Sequence, residues 1–125
     1  LAKPAWNPPD ALFPMGWTLI YALITVAGIT AWRAARTSAQ AEWVIGLFAL
    51  NGFLNISWSI LFFRLQRPDW AFWEVTALWL SILAMILYCG RFSRAAALLL
   101  LPYLGWVSFA GALNWAVVQL NAPFG

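Results

Sequence analysis

Four long apolar segments constrain what this chain can fold into. A helix needs about 20 mostly apolar residues to cross the hydrocarbon core of a bilayer, and each segment reaches that length. Of the 125 residues, 64% are hydrophobic and only 9% are charged, which is more apolar surface than a soluble domain of this size buries. The sequence therefore predicts an all-α integral membrane protein with transmembrane helices at about 12–32, 43–63, 70–90 and 95–120.

The connections between these segments are short, so neighbouring helices must run antiparallel. Strands are excluded because the apolar runs are too long and lack the alternation of a membrane barrel. We expect one domain over residues 1–125, an up-and-down helix bundle with a stiff, proline-rich loop at 1–14. Pro102 lies inside the last segment, where it is expected to kink the helix and free a backbone carbonyl.

Side chains for acid–base or metal chemistry are scarce. The chain has no histidine, which removes the commonest zinc ligand, the usual haem ligand and the usual neutral-pH base. We therefore predict no metal site, no cofactor and no classical hydrolytic centre. The basic residues are scattered between the apolar runs, which argues against a nucleic-acid surface. The carboxylates are dispersed as well, at Asp10, Glu42, Asp69 and Glu74.

Tryptophan is unusually frequent, with ten residues in the chain. Some of these lie at the ends of predicted helices, where indole rings anchor proteins at the membrane–water interface. We assign this anchoring role, and no ligand, to Trp32, Trp43, Trp70 and Trp73.

The second segment carries two carboxamides and an indole on one helical face. Asn51, Asn55 and Trp58 are spaced i, i+4 and i+7, which aligns them along one side of a helix. Amides inside a hydrocarbon span need hydrogen-bond partners. Two interpretations are open: the amides bond to neighbouring helices and hold the bundle together, or they line a pocket with polar tips.

The last and first segments repeat this pattern. Aromatic and small residues follow one side of the last segment at steps of three and four, and a Trp–Tyr pair opens the first segment. Three such helices supply what a pocket for a flat, mostly apolar molecule requires, and close helix packing around the rings is the alternative. The residues concerned are Tyr103, Trp106, Ala110 and Asn114 in the last segment and Trp17 and Tyr21 in the first.

A ridge of small residues follows the second segment at Gly46, Ala49 and Gly52. Helices in lipid associate through close packing, and small side chains let two backbones approach each other. The ridge serves either a homodimer or packing within the bundle, and its spacing favours neither.

Three motifs, in this order, resemble those of a known family. They are KPAWNPP followed by Phe13, Trp17 and Tyr21, then NGFLNISWSILFF, then LLPYLGWVSFAGALNWAVVQLN. From residue 1 to residue 121 the chain is similar to the translocator protein / tryptophan-rich sensory protein (TspO/MBR) family, also known as the peripheral-type benzodiazepine receptor family. The resemblance implies a bundle of five helices in which residues 1–14 join the first two, so that the first family helix is absent from this chain.

The resemblance also implies ligands and assembly. Family members bind porphyrins, sterols and synthetic drug-like compounds in a pocket closed by the first loop, and they commonly form homodimers. Trp6 matches the loop that closes the pocket. Matching pocket positions are Trp17, Asn55, Trp106 and Ala110, with Asn51, Trp58, Tyr103 and Asn114 close by.

We therefore expect a binding or sensory protein for porphyrin-like tetrapyrroles in a bacterial membrane, acting without metal ligation of the ring. One alternative is an enzyme that degrades porphyrin oxidatively through Trp17 and Trp106, as is described for some bacterial relatives. Another is a transporter of tetrapyrroles or sterols, for which Glu74 is the only sequence indication. A sterol ligand is less expected, because Trp115 and Gln119 replace the Tyr and Lys/Arg of the cholesterol pattern of animal members.

Overall fold

Four helices account for most of the chain in the computed structural model, which describes residues 1–9 and 12–124. Asp10 and Ala11, which fall in the predicted loop, and Gly125 lie outside the described residues. The described part contains no strand, so the prediction of an all-α bundle is confirmed. The helices are α1 (Leu12–Ala34), α2 (Ser38–Ser59, continued by a π-helical turn at Ile60–Arg64), α3 (Pro68–Cys89) and α4 (Arg94–Asn121).

Helix α2 begins at Ser38, earlier than the apolar run alone predicted. Thr37 caps it, because its hydroxyl oxygen accepts a hydrogen bond from the Gln40 amide at 3.1 Å. The Gln40 side chain in turn accepts a hydrogen bond from the Arg36 amide at 2.7 Å. This reciprocal arrangement satisfies two backbone donors that a bare helix end would leave unpaired. The first turn of α2 is therefore polar in sequence and still helical.

The end of α2 widens into the π turn before the chain reverses. The Leu65 amide donates to the Ile60 carbonyl and the Arg67 amide donates to the Leu61 carbonyl, both at 2.9 Å. Between them, Gln66 takes the left-handed conformation with a φ of 51°. Pro68 then occupies the first turn of α3, where its missing N–H leaves no helical bond unmade.

The four helices form a ring in which each packs against its neighbours in sequence and α1 closes onto α4. Packing is most extensive between α3 and α4 and least extensive between α1 and α2. Helix α4 continues without interruption through Pro102. The weak α1–α2 contact leaves space on that side of the bundle, and the candidate site lies beside it.

Each helix, with α2 counted through its π turn, is long and apolar enough to cross a membrane, with lengths of 23, 27, 22 and 28 residues. Exposed tryptophans lie near helix ends, with Trp32 and Trp43 at one end of the bundle and Trp70 and Trp73 at the other. From Trp70 to Tyr88, α3 rises about 27 Å, close to the thickness of a bilayer core. The protein is a multi-pass integral membrane protein.

Candidate ligand-binding site

A chain of hydrogen bonds crosses the middle of the bundle and joins all four helices. The Tyr21 hydroxyl donates to the Asn55 carboxamide at 2.9 Å, and the Asn55 amide donates to the Tyr103 hydroxyl at 2.9 Å. Tyr103 then donates to the Asn51 carboxamide at 3.0 Å. The Asn51 amide donates to the Ser81 hydroxyl at 2.9 Å, and that hydroxyl donates to a backbone carbonyl of α3. All of these hydrogen bonds run in the same donor-to-acceptor direction, from Tyr21 towards Ser81, so each bond polarises and strengthens the next in a low-dielectric interior.

This network bears on both interpretations of the amides. Asn51, Asn55 and Tyr103 are buried and bonded to one another, which is the arrangement that holds helices together in lipid. The same three side chains, with Tyr21 and Gly52, also line a cavity of about 210 Å³ between α1 and α2. Tyr21 is 46% exposed, so its ring lies at the accessible end of the network.

A second polar link fixes the neighbouring predicted residues. The Trp58 indole donates to the Asn114 carboxamide at 3.0 Å, and the Asn114 amide donates to the Pro68 carbonyl at 2.7 Å. Trp58 and Asn114 are both buried. Their polar atoms tie α2 and α4 to the start of α3, so these two residues support the site through structure.

The aromatic rings predicted from three helices meet in one cluster. Trp17 stacks on Tyr21 with ring centroids 5.6 Å apart, and it contacts the rings of Trp58 at 6.1 Å and Trp106 at 5.8 Å. Trp58 also stacks on Phe62 at 5.3 Å. The remaining predicted residue, Ala110, is buried on the side of α4 that carries Trp106.

The loop before α1 reaches this cluster through Trp6. The Trp6 ring packs edge-on against Phe109 at 5.9 Å, and Phe109 contacts Trp106 at 6.1 Å. Trp6 remains 52% exposed. Aromatic contacts therefore run without interruption from the loop, through α4, to Trp17 in α1.

A second cavity, of about 320 Å³, lies between this loop and the bundle. Its surface is apolar apart from Lys3 and Asn7, which the loop supplies. Trp17 stacks on Tyr21, which lines the α1–α2 cavity, and Trp58 stacks on Phe62, which lines this second cavity. We call this second cavity the lid cavity. It is lined by Leu1, Lys3, Asn7, Phe13, Phe62, Phe63, Leu113 and Val117.

Two buried polar groups have no hydrogen-bond partner among the described residues. The first is the indole N–H of Trp106, a donor within the aromatic cluster. The second is the carboxyl group of Glu74, whose two oxygens are both buried within the span of α3. Unpaired polar groups inside a membrane are costly, so both positions are candidates for contact with a ligand or another polar group. A role for Glu74 in transport stays a prediction.

The small-residue ridge of α2 divides between two surroundings. Gly46 and Ala49 are exposed, whereas Gly52 is partly buried and lines the α1–α2 cavity. A methyl group added at Gly46 or Gly52 would meet no atom within 4 Å, so neither glycine is required for close helix packing within the part of the chain that the structure describes. Its use in a homodimer stays a prediction.

Sequence reasoning missed several residues of the site. Ser81 completes the polar network from α3, and its i+7 spacing from Glu74 was the available signal. Phe62 and Phe63 line the lid cavity. They lie four and five residues after Trp58, a spacing that places Phe62 on the same side of the helix as Trp58 and could have revealed it. No cluster of three potential metal ligands occurs among residues 1–9 and 12–124. The aromatic, amide and hydroxyl side chains of the site offer stacking and hydrogen bonding.

The fold and the site together define a multi-pass membrane protein with a mostly apolar cavity beneath the loop that precedes α1 and an amide-lined cavity between α1 and α2. The model of the TspO/MBR family matches residues 1–120. The chain belongs to this family.

Curated relatives from distant organisms match nearly the whole chain. The tryptophan-rich protein TspO of Chlorobaculum tepidum is 42% identical, over 97% of this chain and 77% of the relative. The protein of the same name from Archaeoglobus fulgidus is also 42% identical, over 96% of the chain and 76% of the relative. The translocator protein of Bos taurus is 32% identical, over 97% of the chain and 72% of the relative.

Proposed function

We propose that this protein binds porphyrin-like tetrapyrroles in the aromatic cluster beneath its loop and acts in their sensing or handling. The observation that carries this proposal is the meeting of Trp17, Trp58 and Trp106 with an unpaired indole N–H among them. Indole faces stack on flat conjugated rings, and a buried donor without a partner gains a full hydrogen bond when a ligand acceptor reaches it.

The charge of the lid cavity fits the carboxylate side chains of a porphyrin. Lys3 lies on the loop side of a cavity that is otherwise apolar, and Asn7 adds a second polar side chain. An ammonium group attracts a carboxylate more strongly next to an apolar wall than in water. Because the chain contains no histidine, the ring would be held by stacking and by these groups, and a metal-free porphyrin is the natural probe.

The cavity volumes require the loop to move when a tetrapyrrole binds. Pockets for drug-sized ligands occupy roughly 300–1,000 Å³. The lid cavity, at about 320 Å³, lies at the lower limit of that range, and the α1–α2 cavity, at about 210 Å³, lies below it. We therefore infer that the loop moves when a tetrapyrrole binds, which would enlarge the lid cavity.

Titration with protoporphyrin IX, followed by quenching of tryptophan fluorescence, tests the proposal. We expect saturable quenching and an affinity that falls about three- to tenfold in Trp106→Phe, which keeps an aromatic ring and removes the unpaired donor. Trp73→Phe is the matched control, because Trp73 is 76% exposed and lies outside the cluster. Absence of saturable binding to the unmodified protein would overturn the proposal, and so would equal losses of affinity in the two variants.

A further inference from the structure

The last residue of α4, Asn121, holds the loop by both backbone groups of one residue, Ala2. The Ala2 amide donates to the Asn121 carboxamide oxygen at 2.8 Å, and the Asn121 amide nitrogen donates to the Ala2 carbonyl at 2.9 Å. The same nitrogen donates to the Val117 carbonyl at 2.9 Å, which fixes the orientation of the side chain. A carboxamide thus pairs with Ala2 as a neighbouring β-strand would.

Among the described residues, this pair is the main polar attachment of the loop. The other hydrogen bonds that join residues 1–9 to described residues stay within the loop, apart from the bond at its far end, where the Leu12 amide donates to the Pro9 carbonyl. Between these two attachments, the Trp6 ring contact with Phe109 adds an apolar one. Among the described residues, the loop is therefore fastened to α1 at one end and to Asn121 at the other.

The fastened segment covers the lid cavity. Three of its lining residues come from the loop: Leu1 and Lys3, which flank Ala2, and Asn7, which lies further along the chain. Val117, which receives the third bond of Asn121, lines the same cavity from α4. Release of Ala2 would therefore loosen Leu1 and Lys3 over the cavity, while Trp17, Trp58 and Trp106 stay on their helices.

We propose that Asn121 is a latch: a positioning residue that holds the loop closed and thereby sets how fast a ligand enters and leaves. Asn121 does not line either cavity, so its effect on binding acts through Ala2. The part of this inference that concerns a ligand rests on the proposed function. The part that concerns opening of the loop does not.

The experiment compares three variants of the full chain in lipid nanodiscs. Asn121→Ala removes both bonds to Ala2, and Asn121→Asp keeps an acceptor for the Ala2 amide while it removes the donor. Gln119→Ala is the matched control, because it deletes an exposed carboxamide from the same helical turn and leaves both bonds intact. Hydrogen–deuterium exchange of residues 2–7 measures opening of the loop, and stopped-flow fluorescence with protoporphyrin IX measures association and dissociation.

In Asn121→Ala we expect exchange in the loop and dissociation of protoporphyrin to be faster by about tenfold, with a smaller increase in Asn121→Asp and none in Gln119→Ala. The melting temperature separates this effect from misfolding, because loss of two bonds at a helix end leaves the bundle core intact. Loop exchange that is equal in Asn121→Ala and the unmodified protein would overturn the latch. If protoporphyrin binds to none of the proteins, the proposed function fails, and the exchange data still decide whether Asn121 holds the loop.

Discussion

At the scale of single residues, Gly16 sets the position of the Trp106 indole, whose N–H has no partner among the described residues. The Trp106 ring lies directly over Gly16, and a methyl group added there would come within 2.7 Å of Cζ2 and 2.8 Å of Cζ3 of that ring. Atoms at that separation overlap, so one of them must move. Trp106 is held on other sides by Trp17 and Phe109, which limits where it can go.

We therefore expect Gly16→Ala to displace Trp106 and to lower protoporphyrin affinity by about tenfold, a loss typical of a misplaced binding group. Gly105→Ala is the control, since a methyl group there meets no atom within 4 Å. Both substitutions favour helix formation by up to about 1 kcal/mol, because alanine is a better helix former than glycine. If Gly16→Ala nevertheless lowers both stability and affinity, the loss is due to strain at Trp106. Equal affinities of the two variants, measured by the same fluorescence titration, would show that Trp106 moves without consequence.

Helical spacing predicted part of the site and could not predict the rest. Asn51 and Asn55 share a face of α2 because positions i and i+4 always do, and the structure places both on Tyr103. Ser81 was not found this way, although it lies seven residues after Glu74 and therefore shares a face of α3 with it. Lipid is as apolar as the bundle interior, so the sequence of a membrane helix does not reveal which face turns inward.

At the scale of elements, the reversal between α2 and α3 places a strained residue at a defined point. Among the described residues, Gln66 is the only non-glycine residue with a positive φ. A side chain in this region crowds the following carbonyl, at a cost of roughly 1 kcal/mol. The preceding π turn and the following Pro68 fix the chain on both sides, so Gln66 cannot relax into a commoner conformation.

Gln66→Gly is expected to stabilise the protein by about 0.5–1 kcal/mol, because glycine adopts a positive φ without steric cost. The free energy of unfolding, measured by chemical denaturation in detergent micelles, checks this. Gln119→Gly provides the contrast, since glycine inside helix α4 should destabilise by about 1 kcal/mol. A destabilised Gln66→Gly variant would mean that the Gln66 side chain contributes more than its backbone strain costs.

The helices themselves were predictable from hydropathy, since four apolar runs of membrane-spanning length leave little freedom. Their ends were less predictable. The start of α2 depends on Thr37 and Gln40, which are polar and carry no hydropathy signal. The π turn depends on how the chain packs as it leaves the bundle, and local sequence does not encode it.

At the scale of the whole molecule, the polar network joins the helices at one point. Tyr103 lies in its middle, where its hydroxyl accepts from Asn55 and donates to Asn51. All three side chains are buried, so loss of the hydroxyl leaves two carboxamides short of a partner in an apolar interior. Bonds between membrane helices contribute about 0.6 kcal/mol each on average and up to about 1.7 kcal/mol.

Tyr103→Phe should therefore destabilise the bundle by about 1–3 kcal/mol, as measured by thermal unfolding in detergent micelles. Tyr88→Phe is a matched control, because the Tyr88 hydroxyl makes no hydrogen bond to the described residues. We expect that control to unfold at the temperature of the unmodified protein. Identical unfolding temperatures for Tyr103→Phe and Tyr88→Phe would mean that the two carboxamides find other partners.

The pairing of Ala2 with Asn121 has a consequence for biosynthesis. The two residues are 119 positions apart, so the contact joins a segment made early to the last turn of the last helix. A nascent chain that has inserted α1, α2 and α3 still lacks the group that fastens its loop. The loop can therefore be fastened in this way only after α4 has emerged from the ribosome and entered the membrane.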